Sequence, residues 1–213
     1  MREYFDLGHL RELPPDEVNN GQRFYLPHHP VLDRKLRVVF DGSFCDTIGK
    51  SLNDYLFTGP SIQRDLFAVC LRFRMYKFVF SADIVKMFRQ IWVNNKHRDF
   101  QRIFWRERPS DSIKHYQLCT VTYDTSCAPF LAVRVLEQLA TDHQQEFPNA
   151  TKSLQEDFYV DDVLTGSNIE EELIQNQKEL IQLISCANLE LGKWVSNAPR
   201  NHQKELILHN LPQ

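Results

Sequence analysis

At 213 residues, with 42% hydrophobic and 25% charged residues and a formal net charge of −3, the sequence has the make-up of a globular chain of one domain or two small ones. Charged residues interrupt every apolar run, so no membrane span is expected. Met1–Asp6 lacks the apolar stretch of a secretory leader, which points to an intracellular protein, cytoplasmic or nuclear. The slight acidity argues against a protein whose only role is to coat nucleic acid, and five cysteines without a Cys-x-x-Cys pair read as reduced thiols.

Residues 1–24 are polar and proline-marked, and are read as an N-terminal extension with at most a short helix. Tyr25–Pro30 is extended, because each proline biases its predecessor away from the helical region; His28 and His29 in it are read as structural. Lys35–Asp41 is a strand by residue type, with Lys35 and Arg37 able to project from one face as a grip on phosphates or as an ordinary solvated edge. After Gly59-Pro60, Ser61 is the expected N-cap of a helix whose apolar stripe is Ile62, Leu66, Val69, Cys70 and Phe73. Phe78–Val85 reads as a buried strand carrying one carboxylate, Asp83. Strands are expected at Gln101–Arg106 and Tyr116–Tyr123, joined by a loop containing Pro109. Residues 126–143 give the clearest helix, with Ala128, Leu131, Ala132, Val135, Leu136 and Leu139 at helical spacing. Asn168 is the expected cap of a second helix, reaching about Cys186, with Leu173, Leu180, Ile181 and Ile184 inward; a strand follows over Leu189–Val195.

Phe158–Leu164 carries two adjacent carboxylates inside an apolar run. On a continuous strand neighbouring side chains point to opposite faces, so Asp161 and Asp162 serve one site only if the backbone turns there. A hairpin with the pair at its tip does this. Either both are solvated turn residues, or they repay their placement by holding a hard divalent cation through carboxylate oxygens. Positive charge gathers at 34–37, 72–77 and 96–108 and acid around 154–172, a distribution that suits phosphoryl transfer and also plain surface variegation.

The order of strand with carboxylate, hairpin strands, long helix, double-carboxylate hairpin, helix and strand predicts an α+β fold. Two helices on one face of an antiparallel sheet would bring Asp83 beside Asp161 and Asp162. At these residues the sequence resembles a reverse transcriptase, and in particular those of Bel/Pao-type LTR retrotransposons. The resemblance runs from about Tyr25 to Pro199. It rests on YLPHH at 25–29, KLRVVFD at 35–41, SLNDYLFTGP at 51–60, the Asp83 strand, QRIFWR at 101–106, AP at 128–129, FYVDD at 158–162 and KW at 193–194.

The resemblance implies a polymerase palm with a partial fingers subdomain over 25–199, and RNA-directed DNA synthesis from dNTPs on an RNA or DNA template-primer. Asp83, Asp161 and Asp162 match the catalytic carboxylates that hold two Mg²⁺ or Mn²⁺ ions. Phe88 matches the aromatic gate against a 2′ hydroxyl, Arg37 and less closely Lys35 the triphosphate contacts, and Lys193 falls near a lysine proposed as general acid toward pyrophosphate. Tyr123-Asp124 stands where the family pattern has Tyr-Gly, so Asp124 is expected to add bulk and charge near the triphosphate. Residues 200–213 would begin a thumb that is otherwise missing, leaving a fingers–palm fragment. A different class of reading is a catalytically inactive, truncated or host-adopted remnant that at most binds nucleic acid or protein.

Overall fold

The computed structural model describes residues 1–19, 21–32 and 36–198. In chain order the elements are α1 (Arg2–Asp6), β1 (Leu10–Glu12), α2 (Pro15–Val18), β2 (His28–Leu32), β3 (Leu36–Phe40), α3 (Leu66–Met75), β4 (Phe78–Ile84) and α4 (Met87–Gln90). There follow β5 (Arg102–Trp105), β6 (Lys114–Leu118), α5 (Ala128–Asp142), α6 (Pro148–Glu156), β7 (Phe158–Tyr159), β8 (Asp162–Ser167), α7 (Glu170–Cys186) and β9 (Leu191–Ser196). Among the described residues the named strands pair antiparallel, with one isolated parallel bridge between Tyr25 and Arg102, so the chain belongs to the α+β class. Among the described residues no helix is long and apolar enough to cross a membrane. The chain divides into two compact units.

The first unit joins Met1–Pro60 to Phe88–Phe130. It contains a three-stranded sheet, β1-β6-β5, and the hairpin β2-β3. The opening residues are part of its core: β1 pairs with β6, and Tyr4 and Leu10 pack with Leu26, Phe40, Leu52, Ile103, Tyr116 and Leu118. Arg102, counted above within a basic stretch, is 1% exposed and faces inward. It donates to the Val18 carbonyl at 2.7 Å, the Glu17 carbonyl at 3.1 Å and the Asp99 carboxylate at 2.7 Å. A cation so deeply buried is tolerated only when its donors are satisfied in this way. His28 packs beside the rings of Phe40 and Trp105, a structural placement.

The second unit joins Ser61–Met87 to the chain from Leu131 onward. Its sheet runs β7-β8-β4-β9, with Phe80, Ala82 and Ile84 of β4 buried in alternation with the half-buried Ser81 and Asp83. α7 packs against α6 and contacts β4 and β8, burying Leu173, Gln177, Leu180, Leu183 and Ile184. Leu183 takes the buried place expected of Ile181, which is half-exposed.

Two caps differ from the sequence reading. Asp65, not Ser61, caps α3 by accepting the Phe67 N–H at 3.0 Å. Gln63 and Arg64 are drawn instead to the β7–β8 hairpin and to the Gln155 carbonyl, which keeps 61–64 out of the helix and leaves Leu66 exposed. Asn168 does not cap α7; its side-chain carbonyl accepts the Lys77 N–H at 3.1 Å, and Ile169 holds the cap position without a side-chain bond.

Candidate active site

The hairpin that carries the carboxylate doublet forms because Phe158 pairs with Val163 and Tyr159 with Asp162, leaving Val160-Asp161 as a two-residue loop. Asp161 therefore lies in the turn, while Asp162 opens β8. Positive φ at the first loop position alone is the mark of a type II′ hairpin, where glycine is usual. Here that position is Val160, with φ 55°. A β-branched residue in the left-handed region is strained, at a cost of about 1–3 kcal/mol. Gln63 supports the turn: its side chain accepts the Val160 N–H at 2.9 Å and donates to the Phe158 carbonyl at 3.1 Å. The Asp161 carbonyl is held from the other side by the Ile84 N–H at 2.8 Å.

Strand register brings the third carboxylate to this hairpin. Asp83 of β4 stands directly opposite Asp162 of β8 on one side and opposite Gly192 of β9 on the other. The β4–β9 pairing runs Ser81↔Val195 and then Asp83↔Gly192, so β9 carries one extra residue against β4, a bulge. Lys193 lies in that bulge with φ 50°, and its ammonium contacts the Asp83 Oδ2 oxygen. Lys193 is itself 82% exposed at the side chain, whereas the Asp83 side chain is 14% exposed. Gly192 leaves the space beside Asp83 open: a Cβ there would meet the Val85 side chain at 2.8 Å and Asp83 Oδ1 at 3.6 Å.

Asp83, Asp161, Asp162 and Lys193 therefore come together within one unit. Burial pushes the Asp162 carboxyl above its usual range, Asp161 and Asp83 push it further, and Lys193 opposes them. The hydrogen bond and charge of Asp83 hold the Lys193 ammonium above the ordinary lysine value. Three carboxylates against one ammonium leave an excess of negative charge.

That excess bears on whether divalent cations fit. Asp83 Oδ1 is buried without a hydrogen-bond partner, a costly state for a carboxylate oxygen. The donors are all hard oxygens, the class that Mg²⁺ and Mn²⁺ prefer. Among the described residues no three His, Cys, Asp or Glu side chains stand as a ready ligand set, and Asp83 faces Lys193. The chemistry of the donor set and the orphaned oxygen nevertheless fit a hard cation held by Asp83, Asp161 and Asp162.

The remaining sequence-predicted site residues lie in the first unit. Phe88 packs edge-on to Tyr123, with ring centroids 5.1 Å apart. The Arg89 guanidinium lies over the Tyr4 ring at 4.1 Å and 5.7 Å from the Tyr123 ring. Arg37 is exposed on β3, opposite Val31 of β2; Lys35 lies outside the described residues. Asp124 has φ 68°, the left-handed conformation that explains why a glycine would suit this place and why aspartate is tolerated. Its carboxylate accepts the Gly42 N–H at 3.0 Å, tying the turn after β3 to the turn at 123–125.

Two contributors were not read from sequence. Gln63 has no sequence signal beyond its place after Gly59-Pro60. Asn53 sat inside a quoted motif without a role; its amide donates to the Asp124 carbonyl at 2.9 Å and Ser43 Oγ at 3.0 Å and accepts the Ser126 N–H at 2.8 Å. Local turn signals cannot flag Asn53 as a clamp between the turn at Ser43 and the turn at Asp124.

No protein-family model matches the chain, and no curated protein matches it. What is established is a mixed α+β chain whose second unit gathers three aspartates and a lysine at the junction of a hairpin and a bulged strand.

Proposed function

We propose that the chain is the fingers–palm part of an RNA-directed DNA polymerase of a Bel/Pao-type retroelement. The reading is carried by one observation: Asp83 and Asp162 face each other on adjacent strands while Asp161 occupies the hairpin turn beside them. This is the arrangement that a polymerase palm uses, and the ordered sequence motifs support it.

In this reading Asp83, Asp161 and Asp162 hold two divalent cations, which when bound activate a primer 3′ hydroxyl and stabilise the in-line transition state and the leaving pyrophosphate. The chain's own residues supply the placement. Gln63 and the Ile84 N–H fix the hairpin that presents Asp161, and the β4–β8 register sets Asp162 against Asp83. By the resemblance, Phe88, whose ring packs edge-on to Tyr123, is the candidate for excluding a 2′ hydroxyl, and Arg37 the candidate contact to the triphosphate. RNA or DNA template-primer and dNTPs are the partners.

Asp124 favours a second reading, a non-catalytic remnant, because it stands where the family pattern has glycine. Its carboxylate satisfies the Gly42 amide, an internal use that needs no nucleotide. The test is incorporation of labelled dNTPs on a primed homopolymer RNA with Mg²⁺ or Mn²⁺. Activity that falls at least about a hundredfold in Asp161→Asn/Asp162→Asn supports the polymerase. Activity appearing only in Asp124→Gly marks a disabled enzyme, and none in either variant or wild type refutes the catalytic reading.

A further inference from the structure

Lys193 is placed oddly for a strand residue. β9 accepts a bulge and a left-handed non-glycine backbone at this one position, and the result is an ammonium on Asp83. A lysine in the left-handed region is strained. Its long side chain is otherwise solvent-bathed, so moving off the carboxylate needs no repacking. Asp83, by contrast, is mostly buried, with one oxygen on Lys193 and the other unpartnered. The permanent groups are the carboxylates, and the removable one is the lysine.

We propose that Lys193 is a displaceable counterion: it holds Asp83 while the carboxylate site is empty of metal, and a divalent cation entering at the Asp83 carboxylate releases the ammonium to solvent. The inference rests on the reading of Asp83, Asp161 and Asp162 as cation ligands and adds a role for Lys193 before any substrate arrives.

The charges favour the exchange. Three carboxylates and one ammonium sum to a formal −2. A dication bound in place of the ammonium leaves −1, and one bound alongside it would have to share Asp83 with a like charge at contact distance. A unit charge and a dication at contact distance repel even at a water-like dielectric, and more strongly where the site is shielded. Leaving Asp83 relieves that repulsion, and the exposed lysine regains its hydration and rotamer freedom. The bulge keeps the freed ammonium tethered within a side chain's length of the cations, where an anionic ligand would meet it. Exchange of this kind also keeps the metal-free carboxylates from repelling one another out of register.

Two measurements on the whole chain test this. Mn²⁺ affinity is measured by titration for wild type and Lys193→Met, with circular dichroism as the check on folding. Lys193→Met is expected to bind Mn²⁺ about tenfold more tightly. In wild type, peptide-resolved acylation of Lys193, referenced to Lys178, is expected to rise about threefold or more on saturation with Mg²⁺, because the ammonium loses its carboxylate partner. Equal Mn²⁺ affinity in the two proteins, or Lys193 labelling unchanged by Mg²⁺, overturns the displacement while leaving the carboxylates as a cation site. Folded proteins that both fail to bind millimolar Mn²⁺ overturn the cation-site reading and this inference with it.

Discussion

Replacing Gln63 with alanine should loosen the carboxylate hairpin without disturbing the sheet it hangs from. The wild-type side chain makes two partly buried hydrogen bonds, to the Val160 N–H at 2.9 Å and the Phe158 carbonyl at 3.1 Å. At about 1 kcal/mol each, their loss removes about 2 kcal/mol from the turn. That is the size of the strain stored at Val160, about 1–3 kcal/mol for a β-branched residue in the left-handed region. The balance is therefore close, and local opening becomes easier by about 2 kcal/mol, a factor of about 30 in the opening equilibrium. Native-state hydrogen exchange reads this directly. The Ile84 amide, bonded to the Asp161 carbonyl, should exchange about 30-fold faster in Gln63→Ala, while the amides of Leu173–Ile184 in α7 hold near their wild-type rates. Val160→Gly alone should gain little, because relief of strain is offset by the entropy glycine adds to the unfolded chain. Exchange at Ile84 within twofold of wild type in Gln63→Ala would show that the glutamine does not hold the turn.

Gly166→Ala should cost about 2–4 kcal/mol, because a Cβ there would sit 2.6 Å from the Tyr76 Cβ and 2.7 Å from the Phe78 carbonyl oxygen, neither of which can swing aside. The expected fall in Tm is about 5–12 °C by thermal circular dichroism, and a change under 2 °C refutes the close approach. Asp157 is buried, with its carboxylate bonded to Thr165 Oγ1 at 2.7 Å and Arg72 Nε at 3.1 Å. Burial nevertheless outweighs both partners and raises its pKa. The native state therefore holds the proton more tightly than the unfolded chain does. Its stabilising contribution is complete below the ordinary aspartate value of about 3.9 and is lost as pH rises through the raised native value. Urea unfolding from pH 4 to 8 should show wild type losing stability relative to Asp157→Asn as pH rises; a gain would mean that the Arg72 pair, not burial, dominates.

Where side-chain period and backbone geometry agree, the sequence was readable. β4 alternates as a half-buried strand should, α5 buries Ala128, Ala132, Leu136 and Leu139 at helical spacing, and the Asp161-Asp162 hairpin lies where a turn was required. α6 escaped because its buried face, Ala150, Thr151, Ser153 and Leu154, carries one large apolar residue among small and polar ones and so gives no apolar periodicity. The caps at Ser61 and Asn168 were misread because a capping side chain is chosen by competition. Gln63 and Arg64 found longer-range partners that held Ser61 outside the helix, and Asn168 was taken by the Lys77 amide.

The candidate site exposes a further reason for what the sequence hides. Its geometry depends on left-handed backbone at Val160 and Lys193, neither of them glycine, and on a bulge that appears only when β9 is paired with β4. Propensity rules place glycine at such positions, so a valine or a lysine there reads as plain strand. The strained conformations persist because long-range contacts over-determine them: Gln63 on the Val160 amide, 97 residues away, and the pairing of β9 with β4 that forms the bulge around Lys193. Strain held by distant partners cannot be read from a local window. The residues that the chemistry would use were visible as residue types. The devices that aim them, one glutamine and one bulge, became visible only once the strands were paired.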